Sequence, residues 1–211
     1  MTVRPGSAIR AARPMARAPT ARQIDVIIAS PRWTRALRRA AAVCRRAGAA
    51  ALAELSHSEA VEISVLLTTD GAVGKLNRAF RGMNKPTNVL SFPTLDVNNP
   101  RSGPRQLGGP QGMSVMLGDI AVAYGVTARE AKAEGKTLSS HLSHLVVHGV
   151  LHLLGYDHET APDAETMESL ETKILSKMGV PDPYSDTGEK PARVKATRTR
   201  AARPRGVRRK T

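Results

Sequence analysis

Three histidines in one short segment have the spacing of a metal site. The segment runs His-Gly-Val-Leu-His-Leu-Leu-Gly-Tyr-Asp-His from His148 through His152 to His158. Because His148 and His152 are four residues apart, on a helix they are offset by about 40° around the axis and about 6 Å along it. Their imidazoles can then converge on one ion at about 2.0–2.1 Å, the usual zinc–nitrogen distance.

The third histidine requires the chain to turn back after the helix. Gly155 permits such a turn, because glycine readily adopts the left-handed conformation that ends helices. Three protein ligands leave a fourth position for water, which is typical of a catalytic zinc site. Zinc lowers the pKa of such a water toward about 7 and polarises a carbonyl or phosphoryl oxygen. The segment therefore predicts one zinc ion per chain and a hydrolytic reaction, although three histidines also accept nickel, cobalt or copper.

The same histidine spacing occurs in the metzincin proteases, but one residue differs. Those proteases carry a glutamate directly after the first histidine as their general base. Here that position is Gly149, which has no proton acceptor on its side chain. The sequence therefore favours a hydrolytic reaction other than peptide cleavage.

Other polar residues could serve this site, and each also has an ordinary structural interpretation. Asp157 and Glu159 flank the third histidine and could orient an imidazole, while Asp157 could equally be a turn residue. Arg81 could place its guanidinium over a phosphate, or it could simply be exposed. Asp119 lies in an apolar strand, where its carboxylate is either held by structural hydrogen bonds or contacts a metal ligand.

The remaining histidines are assigned no ligand role. His57 and His141 are interpreted as ordinary core or surface residues. His144 lies one helical turn further from Gly155 and His158 than His148 does, so it would not complete the same site. We interpret His144 as a core residue or as one that supports a ligand.

The elements that must position these residues alternate along the chain. Apolar patterning predicts strands at 23–29, 62–68, 88–92 and 115–123. It predicts helices at 30–53, 70–80, 127–134, 138–154 and 163–178, with Ser30 and Asp70 as N-caps. Residues 94–114, rich in Gly and Pro, predict a long loop. The alternation is typical of an α/β or α+β domain with a small sheet covered by helices.

The net charge of +14 is concentrated at the two ends of the chain. Residues 1–22 carry five arginines and no acid, and residues 190–211 carry ten basic residues and no acid. We interpret 1–22 and 186–211 as disordered basic tails around one domain at 23–185. Such tails either bind polyanions or are merely solvated.

Three absences bear on the compartment. Cys44 is the sole cysteine, so the chain cannot form an internal disulfide, which fits a reducing compartment. No apolar run is long enough to span a membrane, and the N-terminus lacks the apolar core of a secretory signal. We therefore expect a cytoplasmic protein with no membrane partner.

Four stretches resemble the YbeY family of bacterial single-strand-specific metallo-endoribonucleases, also called ribosomal RNA maturation factors. The stretches are 76–82 (Leu-Asn-Arg-Ala-Phe-Arg-Gly), 86–93 (Pro-Thr-Asn-Val-Leu-Ser-Phe-Pro), 117–120 (Leu-Gly-Asp-Ile) and 144–160, which contains the three spaced histidines. The resemblance covers roughly residues 24–184. It implies an α+β fold, with a single domain, a small mixed β-sheet flanked by helices, and the metal site on a helix and the following turn.

The resemblance also implies a function. His148, His152 and His158 would bind zinc, and Arg81 would act in the cleft, so Arg81 and His148 are the predicted catalytic residues. The enzyme would cleave single-stranded RNA in 16S rRNA 3′-end maturation and ribosome quality control, with ribosomal RNA and the ribosome as partners. Two alternatives stay open, namely a ribosome- or RNA-binding protein with a structural zinc and a metal hydrolase acting on an amide or small ester.

Two features depart from the family pattern: the tails gain no role from the resemblance, and the long loop leaves substrate preference open. The basic extensions are unusual, and the loop at 94–114 is longer and richer in Gly and Pro than the family leads us to expect. Selection of bases would need aromatic stacking platforms, which are few in the body of the chain. They are Trp33, Phe80, Phe92, Tyr124, Tyr156 and Tyr184.

Overall fold

The computed structural model describes residues 22–54, 60–94 and 114–185. The predicted tails, the loop predicted at 94–114 and His57 therefore lie outside the described residues, apart from Arg22, Thr94 and Ser114 at their ends. Within these ranges no helix combines the length and the apolarity needed to cross a membrane. The elements are β1 (Arg22–Ile28), α1 (Pro31–Ala36), α2 (Ala40–Ala53), β2 (Val61–Thr68), α3 (Asp70–Arg81), β3 (Val89–Pro93), β4 (Val115–Ala123), α4 (Tyr124–Ala133), α5 (Leu138–Leu153) and α6 (Ala161–Lys177).

The four strands form one mixed sheet in the order β1-β2-β4-β3. Strands β1, β2 and β4 run parallel, while β3 is antiparallel to β4. This order leaves β1 and β3 as the two edges of the sheet. The β2–β4 register shifts between Glu62 and Ile63, which pair with Met116 and Gly118 respectively, so β4 carries one additional residue at this point. The predicted α+β fold with a small mixed sheet is confirmed.

Two apolar clusters pack on the two faces of this sheet. The larger one joins β2 and β4 to residues of α1, α2, α5 and α6. The smaller one lies under α3 and includes Val73 and Leu90. Ile120 of β4 belongs to the larger cluster and the next residue, Ala121, to the smaller, as expected for side chains that alternate between faces. Helix α5 therefore packs on the Ile120 face of the sheet.

The helix predicted at 30–53 is in fact two helices. The break falls at 37–39, where Leu37 is extended with φ −142° and ψ 90°. The first helix carries Trp33 into the core, where its indole N–H donates to the carbonyl oxygen of Thr68 at 3.2 Å. Because 37–39 contain neither Gly nor Pro, local propensity gives no sign of the break, and tertiary packing decides it.

Both predicted N-caps also require correction. Ser30 precedes α1, but its side chain makes no capping hydrogen bond. Thr69, not Asp70, caps α3. The Asp70 carboxylate instead accepts hydrogen bonds from the backbone N–H groups of Gly125 and Val126, at 2.6 and 3.1 Å. It therefore satisfies amides in the first turn of α4, where a negative charge is favourable.

Candidate metal centre

The C-terminal half of α5 brings two of the predicted ligands together. The Nε2 atoms of His148 and His152 lie 3.1 Å apart. Two nitrogens bound to a tetrahedral zinc at the usual distances would be separated by about 3.4 Å. His158 completes the group, because one ring nitrogen from each histidine lies within 4.8 Å of the others. The three side chains therefore fit a metal ion, and the donor set suits zinc.

The turn after α5 returns the chain to the site at the predicted glycine. Gly155 has φ +88°, in the left-handed region that favours glycine. Its N–H donates to the carbonyl oxygen of His152 at 3.1 Å, which ends the helix. The reversed chain then places the carbonyl oxygen of Tyr156 3.0 Å from Nδ1 of His152.

This carbonyl contact selects the form of His152 that can bind a metal. A carbonyl oxygen only accepts hydrogen bonds, so Nδ1 of His152 carries the proton and Nε2 keeps a free lone pair. Burial, together with the neighbouring His148 and His158, lowers the pKa of His152 to about 3. The imidazole is therefore neutral at neutral pH, as a metal ligand must be.

His148 has an acidic partner that the sequence analysis missed. Its Nδ1 lies 2.8 Å from Oε1 of Glu171, on α6. The other carboxylate oxygen contacts Nε2 of His144 at 2.9 Å and accepts a hydrogen bond from the Tyr184 hydroxyl. Burial favours a raised pKa for Glu171, but the hydrogen bonds from His144 and His148 outweigh it and lower that pKa. Glu171 is therefore an ionised carboxylate.

A pattern in α6 could have revealed Glu171. The buried positions of this helix include Met167, Glu171, Ile174 and Leu175, which recur at helical spacing. A glutamate in an apolar stripe is almost never fully buried unless it is paired. The sequence therefore carried a sign of a buried acid, but not of its partner.

Arg81 approaches the site from the end of α3. Its Nε atom is buried and has no hydrogen-bond partner within the part of the chain that the structure describes. Burial lowers the pKa of the guanidinium, while the charge of Asp157 opposes that shift. Asp157 directly precedes His158, whose backbone N–H donates to its Oδ1 at 2.8 Å. Asp157 is thus a turn residue that also places a negative charge near Arg81.

Residues 29–179 match the family model described as Endoribonuclease YbeY. The chain belongs to the YbeY endoribonuclease family. Endoribonuclease YbeY of Rhodopseudomonas palustris (strain BisA53) is 48% identical over 164 residues, which covers 77% of this chain and 90% of that protein. The corresponding protein of Paramagnetospirillum magneticum (strain AMB-1) is 46% identical over 165 residues, covering 78% of this chain and 96% of the relative. A solution structure from Thermotoga maritima overlaps with a TM-score of 0.45 at 22% identity, covering 80% of this chain and 100% of that one.

Within this YbeY family member, the packing of α5 gives a physical reason for Gly149. A Cβ atom at this position would lie 3.0 Å from Cδ1 and Cγ2 of Ile120. Gly149 therefore faces the sheet, and the glycine allows the helix to approach it closely. A glutamate, as in the metzincin proteases, would have to displace Ile120 before it could act as a base.

Asp119 and His141 lie apart from the three histidines. Asp119 is exposed on β4, on the face of Ala121, whereas α5 packs on the opposite face. The hydrogen-bond partners of Nδ1 in the first two predicted ligands are Glu171 and the Tyr156 carbonyl, not Asp119. His141 is buried and contacts Glu130.

Proposed function

We propose that this chain is a zinc-dependent, single-strand-specific endoribonuclease that acts in the cytoplasm in 16S rRNA 3′-end maturation and ribosome quality control. Family membership supports cleavage of RNA, because the relatives carry the name endoribonuclease. The convergence of His148, His152 and His158 is the observation that carries the metal dependence. A bound zinc ion would supply an activated water and polarise a phosphoryl oxygen.

The chain's own residues would bind and orient the phosphodiester. The free Nε2 atoms of His148 and His152 would hold the ion, which makes His148 part of the catalytic group. Arg81 would bind the phosphate and neutralise the charge that develops on it, since guanidinium groups donate paired hydrogen bonds to phosphate oxygens. The Arg81 Nε has no partner within the described ranges, which supports this role.

The exposure of the aromatic side chains suggests which of them could hold an unpaired base. Trp33 is buried and packs edge-on against Tyr124. Phe80, which precedes Arg81, is 53% exposed, and Tyr184 is 44% exposed but donates its hydroxyl to Glu171. We therefore expect Phe80 to contact a base, because aromatic faces stack on unpaired bases. The basic residues at 190–211 would add sequence-independent attraction to ribosomal RNA.

The decisive experiment measures zinc content and the cleavage of single-stranded against double-stranded RNA. We expect one zinc per chain in the wild type, and none in His152→Ala. Single-strand cleavage should fall at least about a hundredfold in both His152→Ala and Arg81→Ala, the loss typical of removing a residue that stabilises developing charge. Arg81→Ala should keep its zinc. Arg129→Ala is the matched control, because Arg129 is 68% exposed and pairs with Asp70 on the surface.

Each alternative function predicts a different outcome. An RNA-binding protein with a structural zinc would bind RNA without cutting it and would unfold when the metal is removed. Within the described ranges the metal group has three protein ligands, which leaves a position open for water and speaks against a structural site. A hydrolase for amides or esters would leave single-stranded RNA intact while cleaving a small ester in a zinc-dependent way.

A further inference from the structure

Glu171 is a buried charge that the proposed reaction does not yet use. Its side chain is 1% exposed, on the α6 face that packs against α5. Removing a carboxylate from water is unfavourable unless hydrogen bonds replace its hydration. Here three donors surround the two oxygens, namely His148 Nδ1 and His144 Nε2 at 2.8 and 2.9 Å, and the Tyr184 hydroxyl.

The carboxylate determines which nitrogen of His148 carries a proton. Oε1 of Glu171 lies 2.8 Å from Nδ1 of His148, and only the Nδ1–H tautomer forms this hydrogen bond while leaving Nε2 available to a metal. The Nε2 atom then keeps its lone pair, and it faces Nε2 of His152 at 3.1 Å. His152 receives its orientation from a neutral backbone carbonyl. His148 is thus the predicted ligand with a carboxylate partner, and such a partner makes an imidazole a stronger metal ligand.

We propose that Glu171 is a positioning residue of the metal centre, which holds His148 as the Nδ1–H tautomer and directs Nε2 of His148 toward the metal. The proposal rests on the metal site described above as part of the proposed function. Glu171 lies 23 residues from His148 in sequence, on a different helix. The packing of α6 on α5 is therefore part of the metal site.

His144 and Tyr184 keep the carboxylate in one orientation. Both contact Oε2, which leaves Oε1 directed at His148. The backbone near Tyr184 is itself fixed, because the Lys136 ammonium donates to the carbonyl oxygen of Pro183 at 2.8 Å. Loss of the Tyr184 hydroxyl should therefore have a smaller effect than loss of Glu171, since one donor to Oε2 remains.

The test is the zinc affinity of the metal-free protein, measured by competition with a chromophoric zinc chelator. Glu171→Met removes both charge and acceptor and should weaken zinc binding about a hundredfold, and Glu171→Gln, which keeps an acceptor, about tenfold. Tyr184→Phe should change it less than either. The matched controls are Glu130→Met and Glu130→Gln. Glu130, on α4, contacts His141 at 3.0 Å, and His141 lies on the same helix as His148. No contact of Glu130 with the three predicted ligands is found among the described residues. Both controls should bind zinc as the wild type does.

A second readout separates positioning from a general loss of structure. Nitrogen-15 NMR of the metal-free protein reports the tautomer of His148, which should be Nδ1–H in the wild type and a mixture in Glu171→Met. Wild-type zinc affinity in a folded Glu171→Met would overturn the proposal, and if that variant does not fold, wild-type affinity in Glu171→Gln would do so. A wild-type protein that binds no zinc would instead refute the metal site itself.

Discussion

Three histidines of helix α5 contact a carboxylate, and two of them, His141 and His148, differ in what the far side of the imidazole meets. His141 pairs with Glu130 at 3.0 Å and His148 pairs with Glu171 at 2.8 Å. The far nitrogen of His141, Nδ1, is buried and has no partner among the described residues. The far nitrogen of His148 faces His152. A carboxylate partner is therefore common to both pairs, and the convergence of further imidazoles distinguishes the one that we propose binds a metal.

The two carboxylates differ as much as the histidines do. Glu130 is 32% exposed and also accepts a hydrogen bond from the Asn88 amide at 3.0 Å. Glu171 is 1% exposed and receives three donors. Solvent can replace part of what Glu130 loses when His141 is removed. Little can replace the contacts of Glu171. The C-terminal half of α5, which carries His148 and His152 and is called here the metal half, should therefore tolerate substitution less well than the N-terminal half, which carries His141.

The largest expected difference between the two halves is stabilisation by zinc. Zinc at about a thousand times its dissociation constant should raise the free energy of unfolding by about 4 kcal/mol, because it binds the folded state. For a body of this size that corresponds to a rise in Tm of roughly 10 °C. His152→Ala should lose the rise and His141→Ala should keep it, even if its baseline Tm is lower.

Thermal unfolding of chelator-treated protein, with and without added zinc, measures this difference. The wild type fixes the size of the shift, and each variant is compared with its own metal-free form. If His141→Ala also loses the shift, the two pairs do not separate into a metal site and a structural contact.

A second, somewhat smaller effect is expected where the metal half of α5 meets the sheet. Gly118 of β4 has φ +145°, and a Cβ there would lie 2.2 Å from the carbonyl oxygen of Phe92 and 2.9 Å from Cδ2 of Leu153, which follows His152. Gly118→Ala should therefore lower the free energy of unfolding by about 3 kcal/mol, since it combines backbone strain with overpacking. Urea unfolding measures the change.

Gly71 provides the control for this substitution. It lies in α3, and a Cβ there would meet nothing within 4 Å. Gly71→Ala should be neutral or stabilise by up to about 1 kcal/mol, because alanine favours helix. Equal losses of unfolding free energy in both variants would mean that the close packing of Leu153 against β4 makes no specific contribution to stability.

The local pattern predicted the three histidines that converge, whereas the part of the site that depends on tertiary packing, Glu171, was missed. The spacing of His148, His152 and His158 is a property of one helix and one turn, so it can be read from consecutive residues. Glu171 reaches His148 only because α6 packs on α5, and nothing in a single sequence pairs the two. Arg81 was suggested by its residue type and by family resemblance, since its approach to Asp157 joins distant parts of the chain.

The same division holds for the fold. The strands and most helices follow from apolar periodicity and were predicted within a few residues of their observed bounds. The break at 37–39 comes after α1, whose Trp33 donates to the end of β2. Asp70 accepts hydrogen bonds from the first turn of α4, a helix from another part of the sequence. These features depend on contacts between elements, which propensity does not contain.

The smallest of these effects concerns Phe80, which we propose contacts an unpaired base of the RNA. The Phe80 ring packs edge-on against Phe92 of β3, with centroids 5.1 Å apart and an interplanar angle of 65°. If Phe80 stacks on an unpaired base, Phe80→Ala should weaken binding of single-stranded RNA by about 1–3 kcal/mol. Fluorescence anisotropy with a labelled oligonucleotide measures this in a His152→Ala background, where the RNA is not cut.

Ile27 provides the control for Phe80. It is 56% exposed, similar to Phe80, but it lies on β1 at the opposite edge of the sheet. Ile27→Ala should leave RNA binding unchanged, because β1 is separated from β3 by two strands. An oligonucleotide with one base removed should bind the Phe80→Ala protein as tightly as the intact oligonucleotide does, if the missing base is the one that stacks. Loss of RNA binding in Ile27→Ala but not in Phe80→Ala would contradict the proposal and indicate that RNA binds at the β1 edge of the sheet.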